Sequence, residues 1–183
     1  MLAKNYFKNN VFKSYEEFEN SLIGSDFNTK EKGDIFEKFN ELYFIFYRER
    51  YNISEVWFQV GQGIPVSIKD KLKLESDHGV DGVIKTIDGG LYTCQTKFRS
   101  DKKSATSNEF KKLAAETYAS GKASGMYIFQ NSFTYPDNLK KHKPLTILRD
   151  EFLKLDSQDS HQPINHYSFF DFLIYLNLIL LWH

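Results

Sequence analysis

Two runs of β-prone residues, 80–87 and 91–98, flank the tripeptide Asp88-Gly89-Gly90. Such a step predicts an antiparallel hairpin, and a hairpin's side chains alternate strictly between two faces. In the second run Thr93, Gln95 and Lys97 share one face, while Tyr92, Cys94, Thr96 and Phe98 share the other. A Gln and a Lys in an otherwise apolar strand are costly to bury unless each has a partner. With a three-residue loop over 88–90, Ile87 pairs with Leu91, Asp81 falls opposite Lys97, and Val83 opposite Gln95. Asp81, Gln95 and Lys97 then converge on one patch of the sheet. A two-residue loop shifts the register by one, which a bulge can restore.

The flanking segments predict what covers this hairpin. Ser14-Tyr15-Glu16-Glu17 has the pattern of a capping box and opens a short helix to about residue 23. A longer helix follows over 29–50, with Ile35, Phe36, Phe39, Leu42, Tyr43 and Phe46 recurring at three- and four-residue steps. Residues 55–60 read as a strand, and 61–77 as a loop, in which Lys69, Lys71 and Lys73 mark a solvated loop or edge or contact backbone phosphate. Beyond the hairpin come a helix over 104–120, strands over 126–130 and 145–148, and a brief helix after Asp150. The order implies an α/β fold with a mixed central β-sheet flanked by helices. Residues 1–13 read as an N-terminal extension, 14–160 as the folded domain, and 161–183 as a linker and apolar tail.

Composition narrows the function classes. The chain of 183 residues has 24 Lys plus Arg against 24 Asp plus Glu, so net charge predicts no polyanion partner. The distribution is uneven: residues 14–60 hold ten acids and five bases, residues 69–143 fourteen bases and nine acids. A basic middle is compatible with a local anion-binding surface or with a solvated face. Cys94 is the one cysteine, which excludes a disulfide framework and a cysteine-based zinc site. Residues 1–13 lack the apolar run of a secretory signal, and an intracellular, cytoplasmic setting is expected. Residues 168–183 are rich in Phe, Leu, Ile and Tyr, but Asp171 and Asn177 interrupt them. A membrane span needs about 20 apolar residues. A buried or self-associating helix is therefore expected, and no membrane association.

The predicted cluster has a chemistry of its own. A carboxylate such as Asp81, the Gln95 side-chain carbonyl and the Thr96 backbone carbonyl are hard oxygen donors suited to Mg²⁺. A metal there would polarise a phosphodiester and acidify a bound water, with Lys97 orienting the water and offsetting charge on the phosphorane. The same residues equally permit an Asp81–Lys97 ion pair with Gln95 hydrogen-bonded at a strand edge. His78 is a candidate for proton transfer or phosphate contact, and Arg99, Lys102 and Lys103 for phosphate contact just after the strand. Tyr92 and Trp57 could stack on bases, but a core role is expected for both, as it is for Cys94.

Lys32-Gly33-Asp34-Ile35-Phe36-Glu37, Asp77-His78-Gly79-Val80-Asp81-Gly82-Val83-Ile84 and Tyr92-Thr93-Cys94-Gln95-Thr96-Lys97-Phe98 occur in that order. Together they resemble the Mrr-like restriction endonucleases, a branch of the PD-(D/E)xK nuclease superfamily in which Gln often replaces the Glu of the ExK element. The likeness is to the nuclease domain that opens large helicase-containing restriction proteins, and it runs over about residues 14–155. It implies a restriction-endonuclease-like core and Mg²⁺-dependent hydrolysis of DNA, with Mn²⁺ able to substitute. Asp81 and Gln95 would bind the metal, Lys97 would be the catalytic lysine, and Glu37 would reach the site from its helix as a ligand for a second metal or its water. Gln95 supplies one negative charge fewer than a Glu, so weaker metal binding is expected. The resemblance leaves room for a helicase or translocase acting in trans and for a homodimer. Two other readings stay open: a catalytically silent module that binds nucleic acid or a partner protein, and a junction-resolvase-type nuclease.

Overall fold

The computed structural model describes residues 2–74 and 79–155. The helices α1 (Leu2–Asn9), α2 (Tyr15–Gly24) and α3 (Thr29–Phe46) precede strand β1 (Ile53–Phe58) and helix α4 (Val66–Leu72). The hairpin β2 (Gly82–Thr86) and β3 (Leu91–Lys97) follows, then α5 (Ser107–Ala119) and β4 (Gly125–Gln130). A 3-10 helix (Asp137–His142), β5 (Leu145–Ile147) and α6 (Arg149–Leu153) complete the described chain. The protein is mixed α/β, with one five-stranded sheet in the order β1-β2-β3-β4-β5. β1, β2 and β3 pair antiparallel; β3, β4 and β5 pair parallel, with α5 crossing from β3 to β4.

Strand alternation divides the interior between the two faces. Ile84, Cys94, Tyr127, Phe129 and Ile147 pack against α1, α2, α3 and α6 in an aromatic-rich core. Val83, Met126 and Ile128 point the other way, onto α4 and α5 through Leu72, Phe110 and Leu113. Burying a large apolar side chain contributes roughly 1.5–3 kcal/mol, and Phe18, Phe36, Phe39, Phe44 and Phe152 are fully buried on the first face. α3 is the spine of that face. Asn28 caps it by accepting from the Glu31 N–H at 3.0 Å, and Glu31 accepts from the Asn28 N–H at 2.9 Å.

Four details depart from the expectations drawn from sequence. Residues 2–12 are part of the main core rather than an extension, because Ala3, Tyr6, Phe7 and Phe12 bury their side chains in it. The lysines of 69–73 belong to α4 and its left-handed C-cap at Lys73, not to a loop; Leu72 anchors that helix in the core. α3 stops at Phe46 rather than near residue 50. The hairpin register differs as well: Gly82 pairs with Cys94 and Lys85 with Leu91, not Ile87 with Leu91. The loop has three residues but lies one position earlier. Thr86 N–H donates to Gly90 O at 2.9 Å, and Gly89 takes the positive φ of 87°, the left-handed third position of such a loop. Moving the loop by one changes the pairing by two, so every side chain keeps its expected face.

Among the described residues no helix is long and apolar enough to cross a membrane. The apolar tail, 168–183, lies outside the described residues, as does the expected boundary at 160–161.

Candidate active site

β2 and β3 part company at Asp81. The Asp81 N–H still donates to Cys94 O at 2.8 Å, and its carbonyl accepts from the Gln59 N–H at 2.8 Å. β3 runs on to Lys97 beside β4 alone, with Lys97 paired to Gln130. At the point of divergence the Thr96 N–H, deprived of a main-chain acceptor on β2, donates to Asp81 Oδ2 at 2.6 Å. Because a strand residue's N–H and C=O leave by the same edge, the Thr96 carbonyl faces that opening too. Two glycines make the approach close. A Cβ at Gly82 would lie 2.8 Å from both the Phe58 ring and the Trp57 carbonyl, and one at Gly79 would lie 2.9 Å from Gln95 Nε2.

The side chains gathered here are polar and poorly satisfied. Gln95 is buried, and its Oε1 has no hydrogen-bond partner among the described residues, although leaving a buried acceptor unsatisfied costs about 1–3 kcal/mol. Lys97 is half-buried, and its ammonium makes no hydrogen bond or ion pair among the described residues; its charge nevertheless lowers the Asp81 pKa. The expected alternative, a direct Asp81–Lys97 ion pair, is therefore not formed. Glu37 enters from α3, buried, with Oε1 accepting from the Val60 N–H at 3.1 Å. Burial, then repulsion from Asp81, pushes the Glu37 carboxyl up to about 8. Burial likewise raises Asp81 to about 6, against the Thr96 N–H and Lys97, which lower it. Two carboxylates that resist ionising together mark a site where positive charge would be welcome. Cys94 lies beneath them, its thiol pushed up by burial and by both acids, which removes it as a nucleophile.

The chemistry on offer is that of hard oxygen donors: the two carboxylates, the orphaned amide oxygen of Gln95 and the Thr96 carbonyl. Among the described residues no group of three or more His, Cys, Asp or Glu side chains is placed to hold a metal ion. Any cation site here depends on the neutral oxygens as well as the two acids.

The candidate phosphate contacts turn out to be differently placed. Arg99 donates from Nη2 to both Glu109 carboxylate oxygens at 2.6 Å, and its N–H donates to Asn131 Oδ1 at 2.8 Å. Lys102 sits 2.9 Å from fully buried Glu19, which also takes Arg149 at 2.9 Å. Lys102 thus shares that acid with Arg149 in the fold. Lys103 forms only an exposed pair with Asp101, 3.2 Å, which contributes little. His78 lies outside the described residues. Trp57 and Tyr92 pack against the core clusters, as expected.

Sequence reading missed Lys32 and Gly33 as lining residues. A groove of about 530 Å³ opens beside Thr96 and Lys97, walled by those two residues, Arg99, Asp101 and Glu109. Their place in the Lys32–Glu37 motif was the available signal. Comparison with family models, with curated proteins and with solved structures finds no match to this chain.

Proposed function

We propose that this protein is a metal-dependent nuclease that hydrolyses phosphodiester bonds of DNA, built on the plan of the Mrr-like PD-(D/E)xK enzymes. The observation that carries the reading is the meeting of Asp81, Gln95 and Lys97 at the divergence of β2 and β3. There, among the described residues, the Gln95 oxygen has no partner and the Lys97 ammonium no counter-ion. A protein that used these groups only for stability would satisfy them internally, since each unsatisfied one weakens the fold.

The donor set fits a hard divalent cation such as Mg²⁺ or Mn²⁺, held by Asp81, Gln95 Oε1, the Thr96 carbonyl and Glu37. When bound, such an ion supplies Lewis-acid polarisation of the phosphate and a water acidified enough to attack. Lys97 directs its ammonium at the oxygens where negative charge grows in the transition state, which is the term that lowers the barrier. Asp81 holds the end of β3 in place through Thr96 and orients the donors. Glu37, carrying its proton until an approaching positive charge displaces it, accepts a proton or joins the donor set.

Supercoiled plasmid, incubated with the protein in Mg²⁺ or Mn²⁺, tests the reading. Nicking or linearisation is expected, abolished by a chelator and reduced at least about a hundredfold by Lys97→Ala, the scale of one preorganised electrostatic group. Robust cleavage in the chelator, or equal cleavage by Lys97→Ala, would refute it.

A further inference from the structure

The groove beside the candidate active site has a composition that the catalytic reading does not use. Its volume of about 530 Å³ corresponds to a cube about 8 Å on a side. Five of its lining residues are charged, yet they do not cancel. Glu109 is held by Arg99 and by the Thr106 N–H and hydroxyl, and Asp101 is paired with Lys103. Lys32 and Lys97 have no acidic partner among the described residues. Lys32 makes one hydrogen bond, 2.8 Å to the Ile23 carbonyl, leaving two of its three donors unspent.

The second observation is Gly33, which also lines the groove. Glycine within a helix costs stability relative to alanine, and a close neighbour usually explains it. Here a Cβ would meet nothing within 4 Å, and φ is not positive. Nothing in the described chain needs the missing side chain. The groove wall is open at this turn of α3, beside Lys32.

We infer that this groove seats a backbone phosphate of DNA next to the scissile one, with Lys32 as its principal contact and Gly33 as the clearance for the strand. Successive phosphates of one strand advance about 3.4 Å along the duplex axis. Because Thr96 and Lys97 themselves wall the groove, a strand held at Lys97 has its next phosphate along that wall. The inference rests on the nucleic-acid reading above, but not on catalysis.

Binding to a fluorescent 20-base-pair duplex, measured by anisotropy in EDTA across a salt series, tests it. Losing one phosphate contact removes about 0.9 from the slope of log K against log salt, which at 0.1 M is about an eightfold loss of affinity. Lys32→Gln should show that loss and slope, and Lys32→Arg should bind as wild type. Gly33→Ala should also bind as wild type, while Gly33→Glu should lose at least as much as Lys32→Gln. Lys122→Gln, at the other end of the β3–β4 ladder, should change nothing. Circular dichroism reports folding, and the Lys32 pair decides the matter if Gly33→Glu does not fold. Unchanged affinity in Lys32→Gln, an equal loss in Lys122→Gln, or no duplex binding by the wild type overturns the inference. Binding that depends on Lys32 in a protein that cuts no plasmid with either metal would remove the nuclease reading and leave the groove. Lys97-dependent cleavage with a neutral Lys32→Gln would do the reverse.

Discussion

Glu37→Gln should turn a pH-dependent fold into a flatter one. Glu37 is buried beside Asp81, and its carboxyl holds a proton up to about pH 8, whereas an ordinary Glu releases it near 4.5. Between those values the folded chain binds one proton more than the unfolded chain. The unfolding free energy therefore falls as pH rises, by up to 1.36 kcal/mol per pH unit, and levels off above about pH 8. Over that window the loss is on the order of 3–5 kcal/mol. Glutamine keeps the shape and the acceptor for the Val60 N–H but has no proton to lose. Urea unfolding at pH 5, 7 and 9 should find the variant equal to wild type at pH 5 and more stable by that amount at pH 9. Asp81 titrates between about 3.8 and 6, so the change between pH 7 and pH 9 is the part that reports Glu37. Parallel stability profiles for the two proteins would refute the argument, because they would mean that Glu37 ionises in the fold as easily as in water.

Gln95→Glu adds a charge at nearly constant shape and, in calorimetric titration with Mn²⁺, should tighten binding about tenfold, on the scale of one added charged ligand; weaker binding would remove Gln95 from the donor set. Glu19→Ala should destabilise the fold by about 3–5 kcal/mol, because it strands Arg149 and Lys102 beside a buried site. Thermal unfolding measures this, and a change below 1 kcal/mol would show that water replaces the carboxylate without penalty.

Much of this architecture is legible in local sequence, for reasons that are themselves local. The capping residues Ser14 and Asn28 sit three positions before the groups they satisfy: the Ser14 hydroxyl accepts from the Glu17 N–H at 3.0 Å, and Asn28 from that of Glu31. The Phe36–Phe39–Tyr43 stripe follows the helical period, and the alternation of 91–98 assigns Gln95 and Lys97 to one face whatever the register. The resemblance placed Glu37 near Asp81 by motif order, and the two do interact electrostatically. What sequence left undecided turns on choices between distant or nearly equivalent partners. Either glycine of the hairpin could take the left-handed position; Gly89 does, and that moved Asp81 from Lys97 to the end of the β2–β3 ladder. Helix α1 is eight residues, half of them Lys and Asn, too short to stand alone, and it exists because the α3 face needs Tyr6 and Phe7. Lys102 reads as a surface cation until Glu19, 83 positions earlier, is brought beneath it with Arg149, 130 positions from that acid. Such pairings cost chain entropy that only the assembled core offsets, so their partners are set by the packing of the sheet against its helices and not by the residues beside them in the chain.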